Sequence, residues 1–454
     1  MYLPISCGLL APGGRFIENN KLGSISKNAL RGLKGLVHLS QRNSPVALTA
    51  PESELLFPDA GLSSDRDLRG NAFHCDCKLK WLVEWLSHTN ATVEPIECQS
   101  PGTKAQLSHP ILLLTFPPPF AAELALFQSL PDQSLSVDTF PYQGEQHLVI
   151  AQPFTGRCSF LEWDHVEGTF RTYEKLPLER VVCSSTVVCK PLVIEGKLFV
   201  VVAQLFGGSH IYERDVASGH FKRTQDIEGM RIRKPNDIEV FRVEGDWYFI
   251  VADSSKAGST TVYRWNGKGF YSHQSLHSWY RDTDAEFLEI AGKPHLILAS
   301  SSQRPVVYQW SKTDGRFVRR TDIPDMDDVY AVKHFKVKED VYICLTRFIG
   351  DSKVMRWEGS MFRDVQHMPS RGSMVFQPLG IGGYRYAVLG NDYSFSQVYR
   401  YDTTSGRFQR FQELSTQAPR SFAHLTVDKR DFLIASRFKG KTQIYQHVTI
   451  DLSA

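Results

Sequence analysis

The sequence predicts a mainly β protein: a seven-bladed β-propeller preceded by a truncated leucine-rich-repeat segment. One observation is a phrase that recurs seven times. Its copies are LVIAQPFTGRCSFLEW (148–163), VVVAQLFGGSHIYER (200–214), FIVADSSKAGSTTVYRW (249–265), LILASSSQRPVVYQW (296–310), YICLTRFIGDSKVMRW (342–357), YAVLGNDYSFSQVYR (386–400) and FLIASRFKGKTQIYQ (432–446). Aligned on Ala151, Ala203, Ala252, Ala299, Leu345, Leu389 and Ala435, the spacings are 52, 49, 47, 46, 44 and 46 residues. A period of this size, holding only strand-like pieces, marks propeller blades. A second observation is the content of one unit. In the third, DIEVFRV (237–243), WYFIVAD (247–253), TTVYRW (260–265) and GFYSHQSL (269–276) read as four strands separated by turn residues. A third lies at the ends. The last unit stops at HVTIDLSA without a fourth strand, while AELALFQSL (122–130) resembles the fourth strands of other units. That segment is expected to complete the last blade and spare the sheet a free edge.

Length and composition set bounds on function. A chain of 454 residues should hold more than one domain. A net charge of +3, with no basic run or stripe, argues against nucleic acid as a partner. No apolar stretch approaches the ~20 residues that span a bilayer, so membrane insertion is not expected. The opening MYLPISCGLLAPGG lacks the basic start and long apolar centre of a signal peptide. Among eight cysteines, Cys75 and Cys77 are spaced C-x-C with no second pair to complete a zinc site. Disulfide staples fit better and imply an oxidising compartment. Asn90-Ala91-Thr92 is a glycosylation sequon.

The amino-terminal third divides into three. Residues 1–66 carry Leu22, Ile25, Leu30, Leu33, Leu36 and Leu39 at leucine-rich-repeat spacing, with Asn19 and Asn20, but the pattern then lapses. This region is expected to be a degenerate, poorly ordered remnant. Residues 67–100 read as a cysteine-rich cap that closes such a stack, with Leu79, Leu82, Val83 and Leu86 on one helical face. Residues 101–120 form an irregular Pro-rich linker, and 121–454 form the propeller.

The motifs CDCKLKWLVEWL, VVAQLFGGSHIY, RKPNDIE, ADSSKAG, NGKGFYSHQSLH, WYRDTD, RFIGDSKV and MPSRGSMVFQP, with the terminal DLSA, resemble the leucine-rich glioma-inactivated family of secreted proteins. The resemblance covers about 67–98 and nearly all of 121–454, with a lean to the third paralogue. It implies a propeller of epitempin (EAR/EPTP) repeats. It also implies a Cys158–Cys189 bond between blades one and two, where two buried free thiols are the alternative. Such a bond closes a loop of ~30 residues and contributes about 3 kcal/mol through the unfolded state. In the cap it implies Cys75–Cys98 and leaves Cys77 without its expected partner, since 101–120 holds no cysteine. KLPLERVVCSS (175–185) looks inserted relative to the family pattern. Cys344, within the apolar run YICL, is expected to be a buried thiol.

Two constellations could carry function. Asp237, Asp284 and Asp328 recur near equivalent places on three inner strands, which line the channel. The residues alone leave open a hard cation among them or turn aspartates capping strand starts. The resemblance implies structural Ca²⁺. Phe154, Val187, Leu205, Tyr330, Met374 and Phe438 fall at strand ends or turns in different blades. Singly, each is core filling. The resemblance implies a shared pocket for a receptor aromatic. Arg233, Lys234, Lys256, Arg281 and Arg304 form either a solvated rim or a basic ring steering an acidic surface. Arg371 resembles the position through which family members self-associate.

The expected function is therefore that of a secreted, non-enzymatic ligand. By the resemblance it engages ectodomains of catalytically inactive ADAM-family transmembrane receptors in neural tissue, at synapses or between axon and glia. The alternative is a propeller hydrolase or lyase using channel carboxylates. Fold alone does not exclude it, but no G-x-S-x-G, H-E-x-x-H or G-x-x-x-x-G-K-[ST] motif is present.

Overall fold

The computed structural model describes residues 120–177, 185–227, 232–278 and 280–451, with short strand pieces before them. Those pieces pair in parallel: Arg15–Phe16 with Leu39–Ser40, Ser24–Ile25 with Ala47–Leu48, and Phe73–His74 with Cys98–Ser100. The Cys75–Cys98 pairing, Asn90 and residues 178–184 of the inserted stretch lie outside the described residues.

Seven four-stranded antiparallel sheets follow, each ordered from an inner to an outer strand. Blade three shows the pattern: Pro235–Val243, Asp246–Asp253, Ser259–Trp265 and Phe270–Ser278. Its inner strands join through Glu244 and Gly245, both at positive φ (54° and 93°). A two-residue turn of that hand matches the twist of a hairpin, and glycine adopts it without steric cost. The second strand is buried from Tyr248 onward, because it has sheet on both faces. Outer strands such as Phe221–Ile227 are mostly exposed.

The ring closes as the ends of the sequence foretold. Phe120–Leu130 is the fourth strand of blade seven, beside Thr442–Asp451. Seven apolar cores hold the wheel, one between each pair of neighbouring blades. At closure, Phe432 and Ile434 of blade seven pack with Leu148, Ile150 and Trp163 of blade one. No blade could bury both faces alone, so stability comes from neighbour contacts.

A polar clip repeats at the rim. The side-chain amides of Gln128, Gln225, Gln274, Gln366 and Gln412 each grip the backbone N–H and C=O of one residue in the next blade: Phe170, Phe270, Phe317, Phe408 and Leu124. Those groups lie on the free edge of an outer strand, where no ladder partner exists, so the clip satisfies them.

The structure corrects the sequence alignment in three blades. In blade six Leu389 packs with residues of the preceding blade, whereas Ala252 and Ala299 pack with the blade that follows. Asp237 pairs with Ala252 and Asp284 with Ala299 across the two inner strands. The matching pairs in blades five and seven are Ala331 with Thr346 and Ser421 with Ser436. Leu345 and Ala435 are thus one residue out of register, which places them on the opposite face.

The channel mouth as a candidate functional site

The inner strands run side by side around a channel of about 720 Å³. Five charged residues stand on its wall at the same step of successive inner strands: Asp138, Lys190, Glu239, Glu286 and Lys333. Lys190 Nζ lies 2.8 Å from Asp138 and 3.6 Å from Glu239. Lys333 Nζ lies 2.9 Å from Glu286 and 3.8 Å from Asp284. Burial works against the charge of both lysines, yet the surrounding carboxylates raise each above its ordinary value. Burial likewise opposes ionisation of Glu286, but Lys333 and His334 bring it down to about 2. Burial lifts Glu239 to about 7 against the pull of Lys190.

The sequence pattern missed this ring. Its signal was present: Glu239 and Glu286 lie two residues beyond Asp237 and Asp284, on the same strand face. Lys190 and Lys333 hold the same step in blades two and five, but opposite charges at one repeat position masked the equivalence.

Asp237 and Asp284 do line the channel, one step nearer its mouth. Each reaches into the next blade. Asp237 accepts from Ala285 N–H at 3.3 Å and Asp284 from Val332 N–H at 2.7 Å. The two carboxyls stand near one another on the channel wall. Burial pushes Asp284 well above the carboxylate range, against Lys333, and Asp237 adds to the rise. The Lys333 ammonium, 3.8 Å from Asp284, offsets part of their repulsion. Asp328 does not join them. It precedes the strand Val329–Val337 at φ 53° and bonds toward Tyr330, while Ala331 holds the equivalent step. Among the described residues no group of three acidic, His or Cys side chains is arranged around a metal position. Two of the three expected donors thus come together in the channel, and the third does not join them.

The apolar set is partly assembled. Val187, Leu205, Tyr330 and Met374 line the mouth, together with Lys234 and Arg281. Phe154 and Phe438 are not on that lining. They pack on each other instead, ring centroids 5.0 Å apart, with Phe154 63% exposed. This pair bridges blades one and seven. Lys234 and Arg281 stand on the same turn of blades three and four, where their carbonyls accept from Ser254 and Ser301 N–H at 2.9 Å. Asp253 pins that turn by accepting from Arg233 and Lys234 N–H at 2.6 and 2.9 Å. Arg233 and Lys256 are exposed but off the lining, and Arg304 belongs to a separate groove. Arg371 is exposed, its N–H bonded to Asn391 Oδ1 at 2.9 Å.

Cys158 and Cys189 form a disulfide, Cα atoms 6.1 Å apart, joining the third strand of blade one to the inner strand of blade two. Cys344 is a free, fully buried thiol whose burial pushes its pKa up.

This architecture defines an EPTP-type seven-bladed propeller. The EPTP domain model matches residues 123–164, 170–215, 220–266, 269–311, 316–358, 361–402 and 407–448. Each match begins on the outer strand of one blade and ends on the third strand of the next, so the repeat is offset by one strand from the sheet. The chain belongs to the leucine-rich glioma-inactivated family. Leucine-rich glioma-inactivated protein 1 of Mus musculus is 64% identical over 392 residues, 85% of this chain and 70% of that protein. Leucine-rich repeat LGI family member 3 of the same organism is 50% identical over 384 residues, 85% of this chain and 69% of that protein. Identity is thus higher to the first paralogue than to the third, against the lean drawn from motifs. A chain of the crystal structure of BBS1N in complex with ARL6DN superposes with a TM-score of 0.51 at 13% identity, over 71% of this chain and 96% of that one, which is a likeness of fold alone. Among the described residues no helix is long and apolar enough to cross a membrane.

Proposed function

We propose that this chain is a secreted, non-enzymatic ligand whose propeller mouth docks on the ectodomain of a catalytically inactive ADAM-family receptor. The carrying observation is the convergence of Val187, Leu205, Tyr330 and Met374 with Lys234 and Arg281 at one end of the channel. An apolar pocket that takes an aromatic anchor, rimmed by charge, is the layout of an interface hot spot. Phe154, exposed and packed on half-buried Phe438, offers a further apolar contact at the junction of blades one and seven, and the cations favour an acidic partner. Family membership supports the reading.

The channel carboxylates favour this reading over a hydrolase or lyase. Asp237, Asp284 and Glu286 are engaged by neighbouring backbone N–H groups, and Glu286 by Lys333 and His334 as well. These contacts bind blade to blade. Asp282, His277 and Thr260 do meet in a buried cluster, but Asp282 stands between the other two, so the histidine does not reach the hydroxyl. We further propose Ca²⁺ between Asp237 and Asp284, where it would neutralise the facing carboxylates. Asn90 glycosylation and self-association through Arg371 remain part of the same proposal.

The test is binding of the full chain, expressed through a secretory pathway, to the receptor ectodomain. Phe438→Asp and Arg281→Glu should each weaken it at least about tenfold, the equivalent of ~1.4 kcal/mol. Absence of binding, or affinity untouched by both changes, overturns the assignment.

A further inference from the structure

Five of the seven blade junctions carry the glutamine clip, and the exceptions differ from each other. Between blades one and two, Glu174 holds the position, near Arg214 (3.7 Å) and His220 (3.5 Å). Between blades four and five the position is Thr321, four residues after Phe317 as Gln225 is four after Phe221. Its hydroxyl turns to the Asp322 carbonyl at 3.2 Å and does not reach Phe362, the residue a clip would hold. At this junction a groove of about 500 Å³ opens, lined by Arg304, Arg319, Arg320, Thr321, Asp322, Pro324 and Met361.

Three guanidinium groups share this groove with one carboxylate. Asp322 is used by Arg319, with contacts of 2.6, 2.8 and 3.1 Å. Among the described residues, neither Arg304 nor Arg320 has a carboxylate partner. Both are exposed. Arg316 and Arg320 sit on the outer strand Arg316–Asp322, whose far edge is unpaired. Arg316, Arg319 and Arg320 thus place three cations along one outer strand, two of them on the groove lining.

We propose that this groove binds a linear sulfated polysaccharide of the heparan-sulfate type. Unpaired guanidinium forks match the oxygens of a sulfate as they match those of a carboxylate or phosphate. From Arg316 to Arg320 the strand spans ~13 Å at about 3.3 Å per residue, which suits a ligand bearing charges at intervals rather than a single small anion. The sequence lacks the basic stripe that a nucleic acid would need. The site is separate from the channel lining, and the inference does not rest on the receptor reading.

The experiment is binding of the full chain to immobilised heparin oligosaccharide, measured over a series of salt concentrations. The variant R304A/R320A should lose affinity at least about tenfold, and its salt slope should fall by about 2, one per phosphate-type contact removed. T321Q keeps every arginine but restores the clip to Phe362 and closes the groove, so it too should bind several-fold more weakly. The double variant R385A/K338A, outside the groove lining on blades six and five, controls for net charge and should bind as the parent does. Phe438→Asp, expected to weaken receptor docking, should leave heparin binding intact. The proposal is overturned if R304A/R320A loses no more than R385A/K338A, or if T321Q binds heparin like the parent. Equal binding of desulfated heparin overturns it as well, as does preferential capture by phosphoinositide vesicles. Melting temperatures of R304A/R320A and T321Q no lower than the parent's establish that any loss is local.

Discussion

The amide of Gln412 grips the backbone of Leu124: its Nε2 donates to the Leu124 carbonyl at 2.9 Å and its Oε1 accepts from the Leu124 N–H at 2.8 Å. These residues are 288 apart in the sequence and join blade six to the strand that completes blade seven. Gln128 makes the same contact to Phe170 on the other side of that blade. The strand that closes the ring is therefore clipped on both sides.

Gln412→Ala should destabilise the propeller by about 1–3 kcal/mol, since it removes two hydrogen bonds and leaves two backbone groups without a protein partner. Gln409→Ala, on the same strand but outside the clip, should cost at most ~0.5 kcal/mol. Denaturant midpoints at constant m-value report both. Equal effects would remove the clip from the account of closure.

Lys333 faces Glu286 and Asp284, and its loss leaves carboxylates facing each other. In chelator, Lys333→Met should cost about 2–3 kcal/mol, less than the ~3–5 typical of breaking a pair in a dry core, because the channel admits water. Asp284→Asn should then be less costly in the Lys333→Met background than in the parent. A double-mutant cycle by thermal or chemical denaturation measures the difference. Simple additivity contradicts the coupling.

His165 bridges the turns of blades one and seven, with Nδ1 3.0 Å from Asp428 and Nε2 3.2 Å from Glu145. Glu145, then Asp428, raise its pKa above the ordinary value. A raised folded value means the bridge stabilises fully below the unfolded pKa of about 6.5 and loses that contribution as pH rises through the folded value. The melting-temperature gap between the parent and His165→Gln should be largest near pH ~5.5 and shrink by pH ~8.5. A gap that is constant or widens with pH contradicts this sign.

Ca²⁺ between Asp237 and Asp284 makes a separate prediction. Chelation should lower the melting temperature of the parent and leave that of Asp237→Asn/Asp284→Asn unchanged. Mass action ties the size of the shift to affinity, about 2.7 kcal/mol at a hundredfold excess over Kd. No shift in the parent removes the cation from this channel.

Much of the fold was legible because it repeats. Strand alternation and the recurring phrase located seven blades, and Phe127-Gln128 echoed Phe411-Gln412 strongly enough to place the closing strand. The site was legible only in part. Asp328 looked equivalent to Asp237 and Asp284 by nearness in the repeat, but an offset of three residues moves a side chain off the strand and out of the channel. Phe154 and Phe438 were grouped with the mouth residues, yet each found the other across a blade junction and left the lining. Arg304 was grouped with the basic rim, but it lies in a different groove, at the junction that lacks a clip.

The sequence by itself determined the number of blades, the strand order within each and the way the chain closes on itself. These follow from local patterns, which backbone geometry reads residue by residue. Tertiary structure alone decided which charges meet in the channel, which apolar residues share the mouth and which junctions lack a clip. Each of those depends on side chains some 40 to 290 positions apart being brought within a few ångströms, at a register that one bulge can shift and no single repeat encodes.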